Sequence, residues 1–238
     1  MNILAIESTG NVASVAIVNE KEVLAEFTTN HKKTHSVTLM PLISYMMEMI
    51  EITMADIDHI AVSSGPGSFT GLRIGAATAK ALAHGSGKTI IPVPTLDSLA
   101  YNAFMENAII VPIMDARRSE VYACIYLCEN GKLNAITPYM AESFSSLLEK
   151  VNYTGRPAVF LGDGCFVHGN TIIEHGFKIA DSNNLLQRAA SVGALAIKYA
   201  AEGKAVSYDK LELMYLRKPQ AEREYDERNM TDDRGSAF

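Results

Sequence analysis

The chain opens with short apolar runs cut by turn residues. Ile3, Leu4, Ala5 and Ile6 follow one another within 2–8, apolar toward both faces, which predicts a strand buried on each side. Turn chemistry at 8–11 leads to a second strand over 12–18, and a turn at 19–21 to a third over 23–28. A parallel crossover takes about a dozen residues or more, so these three strands form an antiparallel meander. A helix is predicted over 37–52, capped by Ser36 or Thr38, with Pro41 in its early turns. On a helical wheel its Leu39, Met40, Leu42, Ile43, Met46, Met47, Met49 and Ile50 fill half the cylinder. One core contact needs a narrower stripe. The width and the pliable methionines point either to a second surface to bury or to a thick core contact.

A strand over 57–63 then runs into Gly65-Pro66-Gly67-Ser68-Phe69-Thr70-Gly71-Leu72-Arg73-Ile74-Gly75, and a helix over 72–84 runs out of it. Gly65 and Gly67 allow positive φ and close backbone approach, and Pro66 stiffens the turn. Thr70 is the expected N-cap, with Ser68 the other choice. A strand, loop and helix in this order leave N–H groups at a helix start, where an anion is favoured. The stretch matches neither G-x-x-x-x-G-K-[ST] nor G-x-G-x-x-G, and most such loops cradle nothing. Gly75, Ala76, Ala79 and Ala83 form a stripe of small residues that another helix can approach closely.

A strand at 88–92 and a helix at 95–104 complete a β-β-β-α-β-α order, which then begins again. Strands are expected at 108–114, 121–128 and 133–137, a helix at 143–151 and a strand at 158–161. A second glycine turn at 162–164, a helical stretch to 175 and a strand at 177–180 follow. Glu7 and Asp115 each close the first strand of a half, and Gly65-Pro66-Gly67 corresponds to Gly162-Asp163-Gly164. The repetition reads as a duplication. A long helix over 185–202, closed by Gly203, and an ordered segment at 211–216 end the packed chain. The expected organisation is a first lobe at 1–104 and a smaller second lobe at 105–217, whose last helix crosses back. The tail at 218–238 lacks Leu, Ile and Val and is expected to be disordered.

At 238 residues and 48% hydrophobic content the chain has enough material for buried cores. Its net charge of −6 argues against binding nucleic acid unaided. No basic segment precedes a long apolar core at the N-terminus, and the longest apolar run, 108–114, is too short for a bilayer, so neither a secretory signal nor a membrane span is expected. Cys124 and Cys128 would lie about 13 Å apart on one strand, too far for a disulfide. The expected location is the cytoplasm.

Two such halves facing a cleft resemble the α/β actin-like ATPase (ASKHA, RNase H-like) fold, in which the first turn holds phosphate and acidic residues hold a metal. The match is closer to the TsaB (YeaZ) family, through Ile3-Leu4-Ala5-Ile6-Glu7-Ser8-Thr9, Ala13-Ser14-Val15-Ala16, the 65–75 stretch, Asp115-Ala116-Arg117-Arg118-Ser119-Glu120-Val121-Tyr122 and Tyr215-Leu216-Arg217. The resemblance covers 1–217. It implies a non-catalytic partner of a TsaD-like transferase, joined by a small TsaE-like ATPase, in forming threonylcarbamoyladenosine beside the anticodon. It implies no tightly bound cofactor, ATP being used through the TsaE-like partner, and contact with tRNA only through the complex. Glu7, Ser8, Thr9, Gly65, Gly67, Ser68, Thr70 and Asp115 are the positions where vestigial nucleotide or phosphate contacts would fall.

The helices at 37–52 and 72–84 are expected to meet equivalents on the partner, or on a second copy when the partner is absent, through Met40, Ile43, Met47, Arg73, Gly75, Ala76 and Ala79. In the TsaD-like pattern a histidine-rich metal motif follows the next strand; here that place reads Val93-Pro94-Thr95-Leu96-Asp97-Ser98-Leu99, and no metal site or catalytic residue is expected. His31 and His35 have metal-ligand spacing, but Lys32 and Lys33 between them favour a solvated turn. Ser8, Ser68 and Ser119 have no neighbouring histidine in sequence to make a triad. Asp163 reads as a turn residue rather than a ligand, and Arg117 and Arg118 either reach phosphate or decorate a hairpin, the second being the preferred reading. The rival readings are a stand-alone ATP-dependent kinase-type enzyme, with metal on Glu7 and Asp115, and a peptidase.

Overall fold

The structure is a computed structural model that describes residues 1–31, 34–103 and 107–217. Lys32, Lys33, the expected lobe boundary at 104/105 and the 218–238 tail lie outside the described residues. Five strands form the first sheet: β1 (Ile3–Glu7), β2 (Ala13–Val18), β3 (Val23–Thr29), β4 (His59–Ser63) and β5 (Thr89–Val93). Their order is β3-β2-β1-β4-β5. The meander β1-β2-β3 is antiparallel, whereas β1, β4 and β5 are mutually parallel. The parallel neighbours are reached through helices, α1 (His35–Met49) before β4 and α2 (Phe69–Ser86) before β5.

The second sheet repeats the plan. It contains β6 (Ala108–Asp115), β7 (Glu120–Ala123), β8 (Tyr126–Glu129), β9 (Lys132–Ala135), β10 (Met140–Ser143), β11 (Ala158–Leu161) and β12 (Lys178–Ile179). The path is β10-β7-β6-β11-β12, with β8 also on β6 and β9 on β8. Central β6 pairs antiparallel with β7 and parallel with β11, as β1 does with β2 and β4. The predicted single strand at 121–128 is two strands. The break at Cys124 and Ile125 is held by Thr137, whose hydroxyl takes the Ile125 N–H at 2.9 Å. Strand β10 was not foreseen.

Four more helices, α3 (Thr95–Ala100), α4 (Phe144–Tyr153), α5 (Gly164–Glu174) and α6 (Ala189–Ala201), complete a five-layer stack. Leu4 and Ile6 face α1 and α2, and Ile3 and Ala5 face α6. On the second sheet, Ile110 and Met114 meet Leu96 and Leu99 of α3, while α4 and α5 cover the opposite face. Thus α3 and α6 lie between the sheets. The run Ile3 to Ile6 is apolar throughout because both its faces are covered.

Several helix starts differ from the sequence reading. Ser68, not Thr70, caps α2, its hydroxyl accepting the Gly71 N–H at 3.3 Å. Thr34 precedes α1, which begins at His35. The last helix starts at Ala189, four residues late, because Arg188 is extended and paired with Glu26. Among the described residues no helix is long and apolar enough to cross a membrane.

Candidate functional site

The 65–75 stretch folds as a packing device. Gly65 has φ of +111°, and a Cβ there would lie 2.3 Å from the Met214 carbonyl oxygen. Added at Gly67, Gly71 and Gly75, a Cβ would come within 2.6 Å of Thr9 O, 2.1 Å of Ser8 O and 2.3 Å of Ser8 Oγ. These glycines therefore let α2 rest directly on the turn between β1 and β2. Two of the N–H groups at this helix start are already used: Ser68 donates to Thr9 O at 2.7 Å and Gly71 to the Ser68 hydroxyl at 3.3 Å. Ser8 Oγ donates to Gly71 O at 2.9 Å and is buried.

Glu7 is turned inward. Its Oε1 accepts from the Thr9 N–H at 2.6 Å and the Thr9 hydroxyl at 2.5 Å, and its Oε2 from the Ser63 hydroxyl. Burial pushes its pKa above the usual carboxylate range, opposed by the bonds from Ser63 and Thr9 and by the nearby His35. The carboxylate that the kinase reading needs at a metal is thus engaged in the protein interior.

A cleft of about 390 Å³ opens between the lobes. Thr9, Gly67, Ser68 and Asp115 line it, with Asp163 and Arg217; Glu7, Ser8 and Gly65 do not. Thr70 lines an adjoining pocket with His31 and His35. Asp115 accepts the Arg117 N–H at 2.8 Å and lies 3.5 Å from its guanidinium. The Asp115 N–H donates to Asp163 Oδ1 at 3.1 Å. Burial first, and then the charge of Asp115, push the Asp163 carboxyl upward. Asp163 is thus more than the turn residue expected. The duplication carried the signal, since it aligned Gly162-Asp163-Gly164 with the first glycine loop. A Cβ at Gly162 would lie 2.0 Å from Ile113 O, so the second loop makes the same close approach to its own central strand.

The segment at 211–217 walls the cleft. Met214 N–H donates to Ser64 O at 2.7 Å, and Arg217 bonds Ala116 O at 3.0 Å and pairs with Glu120. Arg73 is exposed and lies 3.8 Å over the Phe69 ring, which packs 5.3 Å from that of Tyr215.

His35 is part of α1 rather than of a solvated turn, with Nε2 2.8 Å from Gly10 O. Ser119 is exposed in a turn whose residues Arg117, Arg118 and Ser119 all have positive φ. No group of three or more His, Cys, Asp or Glu residues suited to a metal occurs among the described residues.

The two helices divide their faces. Leu39, Ile43 and Met46 of α1 enter the core, and so do Gly75, Ala76 and Ala79 of α2. Ile43, Gly75, Ala76 and Ala79, expected at a partner seam, therefore contact this chain itself. Ala76 is only 6% exposed. Of the expected seam, Met40 and Arg73 are exposed and Met47 is half-buried. Val37 and Met40 of α1 are 62% and 43% exposed, and Arg73, Ala77 and Ala81 of α2 are exposed as well.

Two sheets of one plan, each with a central strand ending at an acidic residue and a glycine loop at the shared cleft, define an α/β protein of the actin-like ATPase fold. The family model described as TsaD, tRNA N6-adenosine threonylcarbamoyltransferase, matches residues 22–218. A Bacillus subtilis protein, tRNA threonylcarbamoyladenosine biosynthesis protein TsaB, is 37% identical over 72% of this chain and 75% of its own length. The Escherichia coli protein of that name is 31% identical over 91% and 95%. A Pseudomonas aeruginosa crystal structure, described as similar to the peptidase YeaZ, shares the fold with a TM-score of 0.78 at 23% identity, covering 91% of this chain and 99% of its own. The chain belongs to the TsaB (YeaZ) family.

Proposed function

We propose that this chain is a non-catalytic subunit that a TsaD-like transferase requires to form threonylcarbamoyladenosine next to the anticodon of tRNAs. A TsaE-like ATPase supplies the ATP-dependent step of the assembly. Family membership supports the tRNA-modification role. The observation that carries the subunit role is the outward face of α1 and α2. Val37 and Met40 stay exposed after the chain has filled its own core with Leu39, Ile43 and Met46. Exposed apolar side chains beside small ones suit a second pair of helices laid across them, giving a four-helix seam. Residues 22–218 match the TsaD family model, so a transferase of that family would bring a related lobe with a comparable pair. The same face joins two copies of this chain when the transferase is absent.

The inward-turned Glu7 supports the non-catalytic reading, since a kinase-type site would need that carboxylate at the cleft. Size-exclusion chromatography with light scattering, with and without the TsaD-like protein, tests the seam. Met40→Asp should leave a folded monomer that binds no transferase. Unchanged assembly in that variant would refute the assigned face.

A further inference from the structure

Asp97 of central helix α3 lies outside the cleft lining. Its Oδ1 accepts hydrogen bonds from the hydroxyls of Tyr126 at 2.5 Å and Tyr139 at 2.7 Å, and its Oδ2 from Tyr199 at 2.8 Å. The three donors come from separate parts of the molecule. Tyr126 is on β8 and Tyr139 precedes β10, both in the second sheet. Tyr199 is on α6, whose Val192 and Ala196 pack on the first sheet. Helix α3 follows β5 of the first sheet, yet buries Leu96 and Leu99 against the second. One carboxylate thus ties the second sheet to both central helices, and α6 in turn packs on the first sheet.

We infer that Asp97 is a clasp that holds the two lobes at one fixed separation, so that the cleft width is set by this cluster and not by what enters the cleft. Burial, first among the causes, pushes all three phenols upward, which keeps them protonated as donors. Hydrogen bonds to a carboxylate are among the stronger ones. A second tie lies on the same central helices' flank: Asn102 Nδ2 donates to Leu186 O at 2.7 Å and to Asn184 O at 3.3 Å, while its Oδ1 accepts from Ser191 at 2.5 Å. At the cleft, the 211–217 segment bonds Ser64 of the first lobe and Ala116 of the second. Hinged enzymes close over their substrates by letting the lobes move. Here such motion would have to break the bonds that meet at Asp97.

Spin labels at Lys21→Cys and Asn170→Cys, one exposed position on each lobe, read the separation in the full chain. The native Cys124, Cys128 and Cys165 are buried and stay unlabelled. The expected result is one narrow distance distribution, unmoved by magnesium and ATP. Asp97→Ala removes both acceptor oxygens and leaves three phenols without their common partner, and should widen the distribution or add a second maximum. Tyr199→Phe, which removes one donor, should widen it less. Should Asp97→Ala fail to fold, the Tyr139→Phe/Tyr199→Phe double variant is read in the same way. A broad distribution in the unaltered chain, a shift on adding nucleotide, or a narrow distribution in the folded variants would overturn the clasp.

Discussion

Glu7 accepts three hydrogen bonds in the interior, and burial makes its charged form the costly one. Its folded pKa lies above the ordinary value of 4.5, so the folded state holds the proton where the unfolded chain has lost it. The stability this group contributes is therefore full below that value and is lost as pH rises through the folded pKa. Glu7→Gln copies the protonated form, with an amide to donate to Ser63 and a carbonyl to accept from Thr9. Urea unfolding across pH should show that variant at least as stable as the unaltered chain at neutral pH, with this part of the slope gone. Glu7→Ala should lose about 1–3 kcal/mol, because the Thr9 and Ser63 groups are left unpaired. At Gly71 a methyl would meet the Ser8 carbonyl at 2.1 Å, and Gly71→Ala should cost about 3 kcal/mol in the same measurement. The need for small residues along α2 was legible in the sequence. What they approach was not, since periodicity tells which face is small but not what lies against it. Likewise Glu7 was recognised as the end of a strand, yet its inward turn depends on Ser63, 56 positions away.

At the scale of elements, the broad apolar half of α1 divides between a core face and an outward one. The wheel foretold more apolar surface than one core contact needs, but it could not divide the residues between the two. Ile43 went to the core and Met40 to the surface because the sheet lies on one side only. The choice of substitution follows from this. Ala76→Arg would force a charge into the first-lobe core and should cost about 3 kcal/mol or more, so a lost assembly there would say nothing about a seam. Met40→Asp changes an exposed position and should leave the unfolding midpoint nearly unchanged while abolishing association, as circular dichroism and light scattering on one sample would show. The meander was legible from strand spacing alone, whereas the parallel pairing of β4 and β5 is seen only in the fold. The break between β7 and β8 was not, because the apolar run is continuous and the bend is fixed by Thr137 from a later segment. Strand β10, with polar Glu142 and Ser143, carries little strand signal of its own and exists by pairing with β7.

The whole molecule is a duplication with its connections turned inward. Each half lays a glycine loop against its own central strand or first turn, and α6 returns from the second half to cover the first sheet. The repeat in the sequence carried this plan, including the acidic ends of β1 and β6. The cleft floor was legible only in part. Asp163 and the 211–217 wall belong to it through contacts made across the fold, Asp115 to Asp163 and Met214 to Ser64. The stand-in for a metal motif at 93–99 is a carboxylate that ties tyrosines together. The internal Glu7 and the outward helix face left unspent by the core are the two observations on which the proposed subunit role rests. The most direct measurement is threonylcarbamoyladenosine formation on unmodified tRNA, with threonylcarbamoyl-adenylate, ATP, the TsaD-like transferase and the TsaE-like ATPase supplied. The chain alone should yield none, its addition to the other proteins should restore formation, and Met40→Asp should fail to restore it. Modified tRNA from the purified chain alone, or full activity without it, would contradict the account.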